Sequence, residues 1–400
     1  MGERVQFGIK EHEPSVPAGT VMHHSFRGRN GDAEHFFVVT APEARSFQDQ
    51  IRSIETDYST ELLSRGLCLQ TALFHRIFLS DELNQIDILK RSSLAGDWGE
   101  RPFAVSIIQQ PPLPNSKIVL LAYHVESQNP LVSERISASH VVVRKNGLGH
   151  LWSTRLCSHD TEKTCSASLQ TRNAFVDLIG GLASGGGDLV HNCVRTWIYV
   201  RALDVFYQGM VDERRAVFQQ HGLSPRTHFI ASTGIEGVGA HRHDSIVMDA
   251  YSIFGLQPHQ VSYLNDFDML CAAKDYNVTF ERGTRIAYAD RAHYFISGTA
   301  SIDAQGNVLY PSDVVKQVDR ALENIDSLLR SGSADLVDLM YLTVYLRDSS
   351  DFNVVKARLN ARLPGVPAVI VQASVCRPEW LVEIEGFAIT GNNQPTYPSF

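Results

Sequence analysis

The chain has no surplus of positive charge. Its 36 lysines and arginines are outnumbered by 44 acidic residues, for a net charge of −8 at neutral pH. Phosphate binding needs a basic face, so no nucleic-acid partner is expected. No apolar run approaches the length needed to cross a bilayer, so no membrane partner is expected. No basic stretch leads into an apolar run after Met1, so no secretory signal is expected. The six cysteines (68, 157, 165, 193, 271 and 376) are scattered and form no C-x-x-C pair, which suits a reduced, cytoplasmic protein. There is no nucleotide-binding glycine loop; Gly185-Gly-Gly187 follows a helical stretch and reads as its C-cap. His241-Arg-His243 has metal-ligand spacing but no further ligands in view, so neither metal nor cofactor is expected.

What is present is ordinary for a globular protein: 44% hydrophobic and 20% charged residues over a length that suits two or three domains. One pattern recurs three times. In the last hundred residues, Ile286–Tyr288 and Tyr294–Ser297 read as strands. Val314, Val318, Leu322, Ile325 and Leu329 share a helical face behind a Ser312 N-cap. A β-rich run Leu339–Leu346, a helix Phe352–Leu363 and strands Pro367–Val375 and Trp380–Ile389 complete the order ββαβαββ. The middle of the chain repeats it: Gly187-Asp-Leu-Val190 answers Ala334-Asp-Leu-Val337, and Ile198-Tyr-Val-Arg201 answers Val344-Tyr-Leu-Arg347. A weaker copy holds a strand Phe36–Val39, a helix Ala44–Leu63 and Arg76-Ile-Phe-Leu-Ser-Asp81. The expected division is 1–130, 131–256, a connector 257–283, 284–392 and a loose tail 393–400. The fold class is α+β.

The C-terminal unit resembles the RidA/YjgF superfamily. The carrying motifs are Ile296-Ser-Gly-Thr-Ala-Ser-Ile-Asp303, Glu323-Asn-Ile325, Val344-Tyr-Leu-Arg-Asp348 and Leu381-Val-Glu-Ile-Glu385. The resemblance implies tandem units with a chorismate-mutase-like fold in a pseudo-threefold, barrel-like assembly. It implies small-molecule clefts between units, in a monomer with a pseudo-trimeric core or in a homotrimer. In the wider family an arginine in a Pro-x-Arg motif holds the ligand carboxylate. Here Pro367-Ala-Val369 lacks it, and Arg226 of Pro225-Arg-Thr-His228 is the candidate replacement. Val375-Cys-Arg-Pro-Glu-Trp-Leu-Val-Glu383 is similar to the signature of chorismatases, which cleave an enol-pyruvyl ether; the subclass that makes 3-hydroxybenzoate carries cysteine at this position. Arg195-Thr-Trp-x-Tyr199 is a further parallel. Tyr263-Leu-Asn-Asp-Phe-Asp268 departs from that family, placing acids where it carries arginine and tyrosine.

Glu383 and Glu385 alternate with Val382 and Ile384 on one strand, so both carboxyls share a face. Partial burial of the pair raises one pKa, which suits a general acid for an enol ether or an imine. Cys376 has no evident histidine partner and reads as a wall of the substrate site beside the catalytic Glu383. Arg195, Tyr199, Tyr345, Gly298 and Thr299 complete the candidate contacts to a small carboxylated substrate. Enol-ether cleavage is the first expectation. An enamine or imine deaminase using Arg226, or a non-catalytic small-molecule-binding protein, are the alternatives.

Overall fold

The computed structural model describes residues 19–43, 46–96, 100–129, 131–157, 166–239, 241–271 and 279–400. The first unit runs β1 (Thr20–Arg27), β2 (Ala33–Thr40), α1 (Phe47–Ser64), β3 (Ala72–Leu79), α2 (Glu82–Leu89), β4 (Ala104–Gln109) and β5 (Ile118–Glu126). The second runs β6 (Val132–Arg135), β7 (His140–Lys145), β8 (Leu148–Cys157), α3 (Ala167–Ser184), α4 (Leu189–Asn192), β9 (Cys193–Val200), α5 (Leu203–Gln220), β10 (Ala231–Glu236) and β11 (Ile246–Phe254). The third runs β12 (Val261–Tyr263), β13 (Gly283–Ala287), β14 (Arg291–Ala300), α6 (Val314–Ser331), β15 (Leu339–Leu346), α7 (Phe352–Arg362), β16 (Ala368–Gln372) and β17 (Val382–Gly391).

The three sheets share one topology. Their strand orders are β1-β2-β5-β3-β4, β7-β8-β11-β9-β10 and β13-β14-β17-β15-β16, with β6 and β12 added at the edges of the second and third. The expected ββαβαββ unit is therefore present three times. The segment expected to be a bare connector contributes β12, and β1 and α2 carry no periodicity strong enough to have been read from the sequence.

Local chemistry explains the helices. Ser46 and Ser166 cap α1 and α3 by accepting from the backbone N–H of Asp49 and Leu169, both at 3.2 Å. Asp313, not Ser312, caps α6, taking the Lys316 N–H at 3.0 Å. The glycine run ends α3: Gly187 N donates to Leu182 O at 2.9 Å, with Gly186 at φ +78°. The α6 stripe of Val318, Leu322, Ile325 and Leu329 is wholly buried against the third sheet. Each such side chain contributes roughly 1.5–3 kcal/mol before entropy is charged against it.

Helices cover one face of each sheet, and the other faces meet around a shared core. That core gathers Phe36, Phe74 and Tyr123 of unit one, Trp152, Trp197 and Tyr251 of unit two, and Phe295, Tyr341 and Phe387 of unit three. The cavity among them is about 20 Å³, room for about one water, so the axis is no ligand channel. The sheets are not hydrogen-bonded into one closed barrel. Short backbone links join them instead: Gln109 N to Val238 O at 2.9 Å, Leu113 N to Ile370 O at 2.9 Å, and Glu281 N to Ile230 O at 3.1 Å.

In the tail expected to be loose, residues 393–396 are exposed, and it is the last residue that packs. Phe400 is 1% exposed. Its ring lies among His150, Tyr288 and His293, with the Arg291 guanidinium 5.3 Å from its centroid. Its carbonyl accepts from Lys145 and, at 3.0 Å, from Asn146. It thus closes one end of the shared core, where an aromatic ring removes more apolar surface from water than a free tail would.

Beside it, Glu34 of β2 lies fully buried against unit three. Arg291 Nη1 donates to Glu34 Oε1 at 2.7 Å, His293 Nε2 lies 2.9 Å from the same oxygen, and the Tyr123 hydroxyl donates to Oε2 at 2.5 Å. Burial alone would raise the Glu34 pKa. The His293 and Arg291 charges and these hydrogen bonds overcome it and hold the carboxyl down to about 2. The sign follows from linkage: this stabilisation is complete above the unfolded carboxyl value and is lost as pH falls towards about 2. Glu34→Gln leaves Arg291 paired with Asp290 at 2.9 Å but removes its shorter ion pair, and should cost about 1–3 kcal/mol at pH 7 by urea denaturation. It should also flatten the acid limb of the stability–pH curve.

Candidate active site

The register puts equivalent residues of the three units in rows. Opposite Arg76, Trp197 and Thr343 on β3, β9 and β15 stand Leu121, Asp249 and Glu385 on β5, β11 and β17. On their other side stand Ser106, Thr233 and Val369 on β4, β10 and β16. Each unit presents this row to the next. Arg76 Nη2 and Ser106 Oγ of unit one donate to Asp249 of unit two, the arginine at 3.1 Å. Trp197 Nε1 and Thr233 Oγ1 of unit two donate to Glu385 of unit three, at 3.0 and 2.5 Å. At the third junction the pattern is broken: unit one has Leu121 at the position of the acids, and the buried Thr343 hydroxyl has no hydrogen-bond partner.

Two residues away on the same strands lies a second row: Val119, Val247 and Glu383, opposite Phe78, Tyr199 and Tyr345. Unit three alone carries an acid in this row. Glu383 is 5% exposed and borders a cavity of about 310 Å³ between units two and three. Unit two supplies Tyr207, Arg214 and Arg215 from α5 and Ser232 and Gly234 from β10. Unit three supplies Phe280, Arg282, Gly298, Cys376, Arg377 and Trp380. The corresponding cleft between units three and one is about 100 Å³, floored by Val119 and Val369 and walled by Phe352 and Leu359. It lacks the acid and the arginines.

Burial pushes the Glu383 carboxyl up to about 8. Glu385 beside it adds to the rise, while Arg282 and Arg195 oppose it. The group therefore keeps its proton at neutral pH. Gly298, at a bulge in the β14–β17 pairing, makes room for it: a Cβ there would stand 1.9 Å from Glu383 Oε1. Cys376 is half-buried and hydrogen-bonded to the Tyr207 hydroxyl. Burial, with Glu383 nearby, pushes its thiol up to about 12, so it is no thiolate nucleophile.

The structure brings Glu383, Cys376 and Gly298 together and removes the other candidates from the cleft. Arg226 is exposed in the turn before β10, its N–H on Ser224 Oγ at 3.3 Å. The residue that answers Val369 is Thr233, seven positions further on, because the extra turn shifts the strand relative to the proline. Arg195 is 2% exposed and bound to Glu385 Oε2 at 2.7 Å, to Thr233 Oγ1 and to Thr196 O at 3.0 Å, so it contacts protein, not the cleft. Glu385 is correspondingly saturated with donors. Tyr199 and Tyr345 are wholly buried in the shared core, their hydroxyls without a hydrogen-bond partner. Thr299 is buried and donates to Ser297 O at 2.9 Å; alternation on β14 turns it away from the cavity. The Gly298 N–H is given to Thr233 Oγ1 at 2.9 Å, leaving none for a ligand. His241 and His243 sit in a turn, not on one strand face.

Sequence reading missed Tyr207, Arg214, Arg282 and Arg377. One signal was available: Arg214 interrupts the buried stripe Met210, Val211, Val217 and Phe218 of α5. Its guanidinium reaches Thr279 Oγ1 at 3.2 Å and Ser232 Oγ at 3.4 Å.

Comparison with known proteins bears on the family and the fold. Residues 285–390 match the family model described as Endoribonuclease L-PSP. A RutC family protein of Pyrococcus abyssi is 32% identical over 100 residues, 24% of this chain and 76% of that protein. The UK114 RutC family protein of Drosophila melanogaster is 32% identical over 108 residues, again 76% of its length. The chain belongs to this RidA/L-PSP family. The whole architecture is similar to a crystal structure of a chorismatase, at TM-score 0.57 and 17% identity, over 94% of this chain and all of that one. At that identity the fold is what is shared: a multi-unit RidA-like arrangement of the chorismatase type. A 3-hydroxybenzoate synthase of Streptomyces hygroscopicus is 35% identical over 102 residues, 23% of this chain and 30% of that protein. Among the described residues no helix is long and apolar enough to cross a membrane.

Gly298→Ala should displace the Glu383 carboxyl and destabilise the fold by about 1–3 kcal/mol. Adding Glu383→Ala should recover part of that loss, seen as a favourable coupling energy in a double-mutant cycle by urea denaturation.

Proposed function

We propose that this chain is a chorismatase-type enzyme that cleaves the enol-pyruvyl ether of a small carboxylated metabolite. The reading rests above all on Glu383, a buried acid poised at about 8 and facing a cleft lined by Arg214, Arg215, Arg282 and Arg377. In the reaction, Glu383 gives its proton to the methylene carbon of the enol ether. The resulting oxocarbenium ion takes up water, whose proton returns to the Glu383 carboxylate, and the hemiketal collapses, its hydroxyl proton passing to the departing ether oxygen, to pyruvate and the ring alcohol. The arginines supply counter-charge for substrate carboxylates. The cavity is at the small end of the roughly 300–1,000 Å³ usual for such ligands. Cys376, a neutral thiol on Tyr207, walls the ring side of the site.

Two comparisons support the reading: the overall similarity to a chorismatase and the partial identity to a 3-hydroxybenzoate synthase. The imine deaminase alternative loses its proposed anchor, since Arg226 lines no part of the cleft.

The test is incubation with chorismate and coupled detection of pyruvate. Pyruvate release is expected, falling at least about a hundredfold in Glu383→Gln. Because the acid form is the active one, the rate should decline as pH rises through about 8. No pyruvate at high enzyme loading would overturn the assignment.

A further inference from the structure

Glu383 and Glu385 project from the same side of β17, yet their surroundings are opposite. Glu383 meets the cleft. Glu385 is 3% exposed and is held by unit two on three sides: Arg195 Nη2 at 2.7 Å, Trp197 Nε1 at 3.0 Å and Thr233 Oγ1 at 2.5 Å. Arg76 Nη1 of unit one stands 3.9 Å away. Two cations and two neutral donors converge on one carboxylate. Thr233 also ties this cluster to the cleft, because its hydroxyl oxygen accepts the Gly298 N–H at 2.9 Å, and Gly298 is the residue against which Glu383 rests.

We propose that Glu385 is a positioning residue for the acid site: a buried carboxylate, clamped by the preceding unit, that governs how Glu383 holds its proton. The proposal rests on Glu383 acting as the acid. It makes the cleft dependent on unit two twice over, through the wall residues of α5 and through the clamp on Glu385. The groups around Glu383 sort into two sets. Glu385 on its own strand favours the protonated form. Arg282, ahead of β13, and Arg195 on β9 favour the charged form. Cys376 and Tyr207, on the segment before β17 and on α5, are neutral at pH 7. Arg214 and Arg215 of α5 and Arg377 complete the charged lining. The like-charged neighbour is the one element of this environment that opposes ionisation besides burial itself. Two residues along a strand place the carboxylates roughly 6–7 Å apart, at which distance their repulsion moves a titration by about one to two pH units.

The test reads the protonated-carboxyl infrared band of the full-length protein during a pH titration, with Glu383→Gln identifying the Glu383 contribution. In the wild type the band should disappear with a midpoint of about 8. In Glu385→Gln the midpoint should fall by about one to two units. Because that variant strands Arg195, the paired variant Glu385→Gln/Arg195→Gln is measured as well. It removes both charges and should show a smaller fall in the same direction. A merely structural role for Glu385 would alter stability and leave the midpoint where it is. A midpoint unmoved in whichever of the two variants folds would overturn the proposal. The alkaline limb of pyruvate release should move with the band. If the wild type releases no pyruvate, the functional assignment fails while the infrared titration still decides the role of Glu385.

Discussion

Much of this structure depends on handing a buried carboxylate from one unit to the donors of the unit before it. Asp249 is grasped by Arg76 and Ser106, and Glu385 by Trp197, Thr233 and Arg195. A carboxylate cannot be buried between apolar sheets unless its oxygens are satisfied, because desolvation costs more than packing returns. The donors therefore fix the distance and register between neighbouring sheets. The Arg76 guanidinium, stacked 4.3 Å from the Trp197 ring centroid, ties the first junction to the second.

The third junction shows what happens when the acceptor is lost. Leu121 stands where the other units have acids, Thr343 is left unpartnered, and the cleft beside it is small and apolar. Attachment there is made further along the strands, by Glu34 with Arg291 and His293, and by Phe400 pressed into the end of the core. Three copies of one fold have thus become three different junctions. One of them combines a saturated carboxylate with a second, proton-bearing one at the edge of a basic cleft.

The threefold repeat, the ββαβαββ order and the helical faces were legible because they rest on periodicity, which survives sequence divergence. Glu383, Cys376 and Gly298 were singled out from their motifs, and the structure brings them together from β17, the segment before it and β14. Arg226 misled because a proline motif was aligned without the turn that separates it from β10; in the register Thr233 takes that place. Arg195 and Glu385 were correctly noticed as chemically unusual, but a motif does not say whether a charged side chain faces a ligand or another unit. Arg214 and Arg282 belong to segments with no motif, and only packing brings them to the cleft.

The sequence by itself determined the identity of the units, their number and the strand that bears the acid, since hydrophobic period and short-range turn chemistry are local properties. The tertiary structure decided which carboxyl borders the cleft. Glu383 and Glu385 have the same chemistry, the same strand and the same face. They differ in what the second unit brings against them: an arginine-lined cavity for one, and a full set of donors for the other. That difference is set by contacts between residues about 150 to 190 positions apart in the chain, which no local pattern encodes.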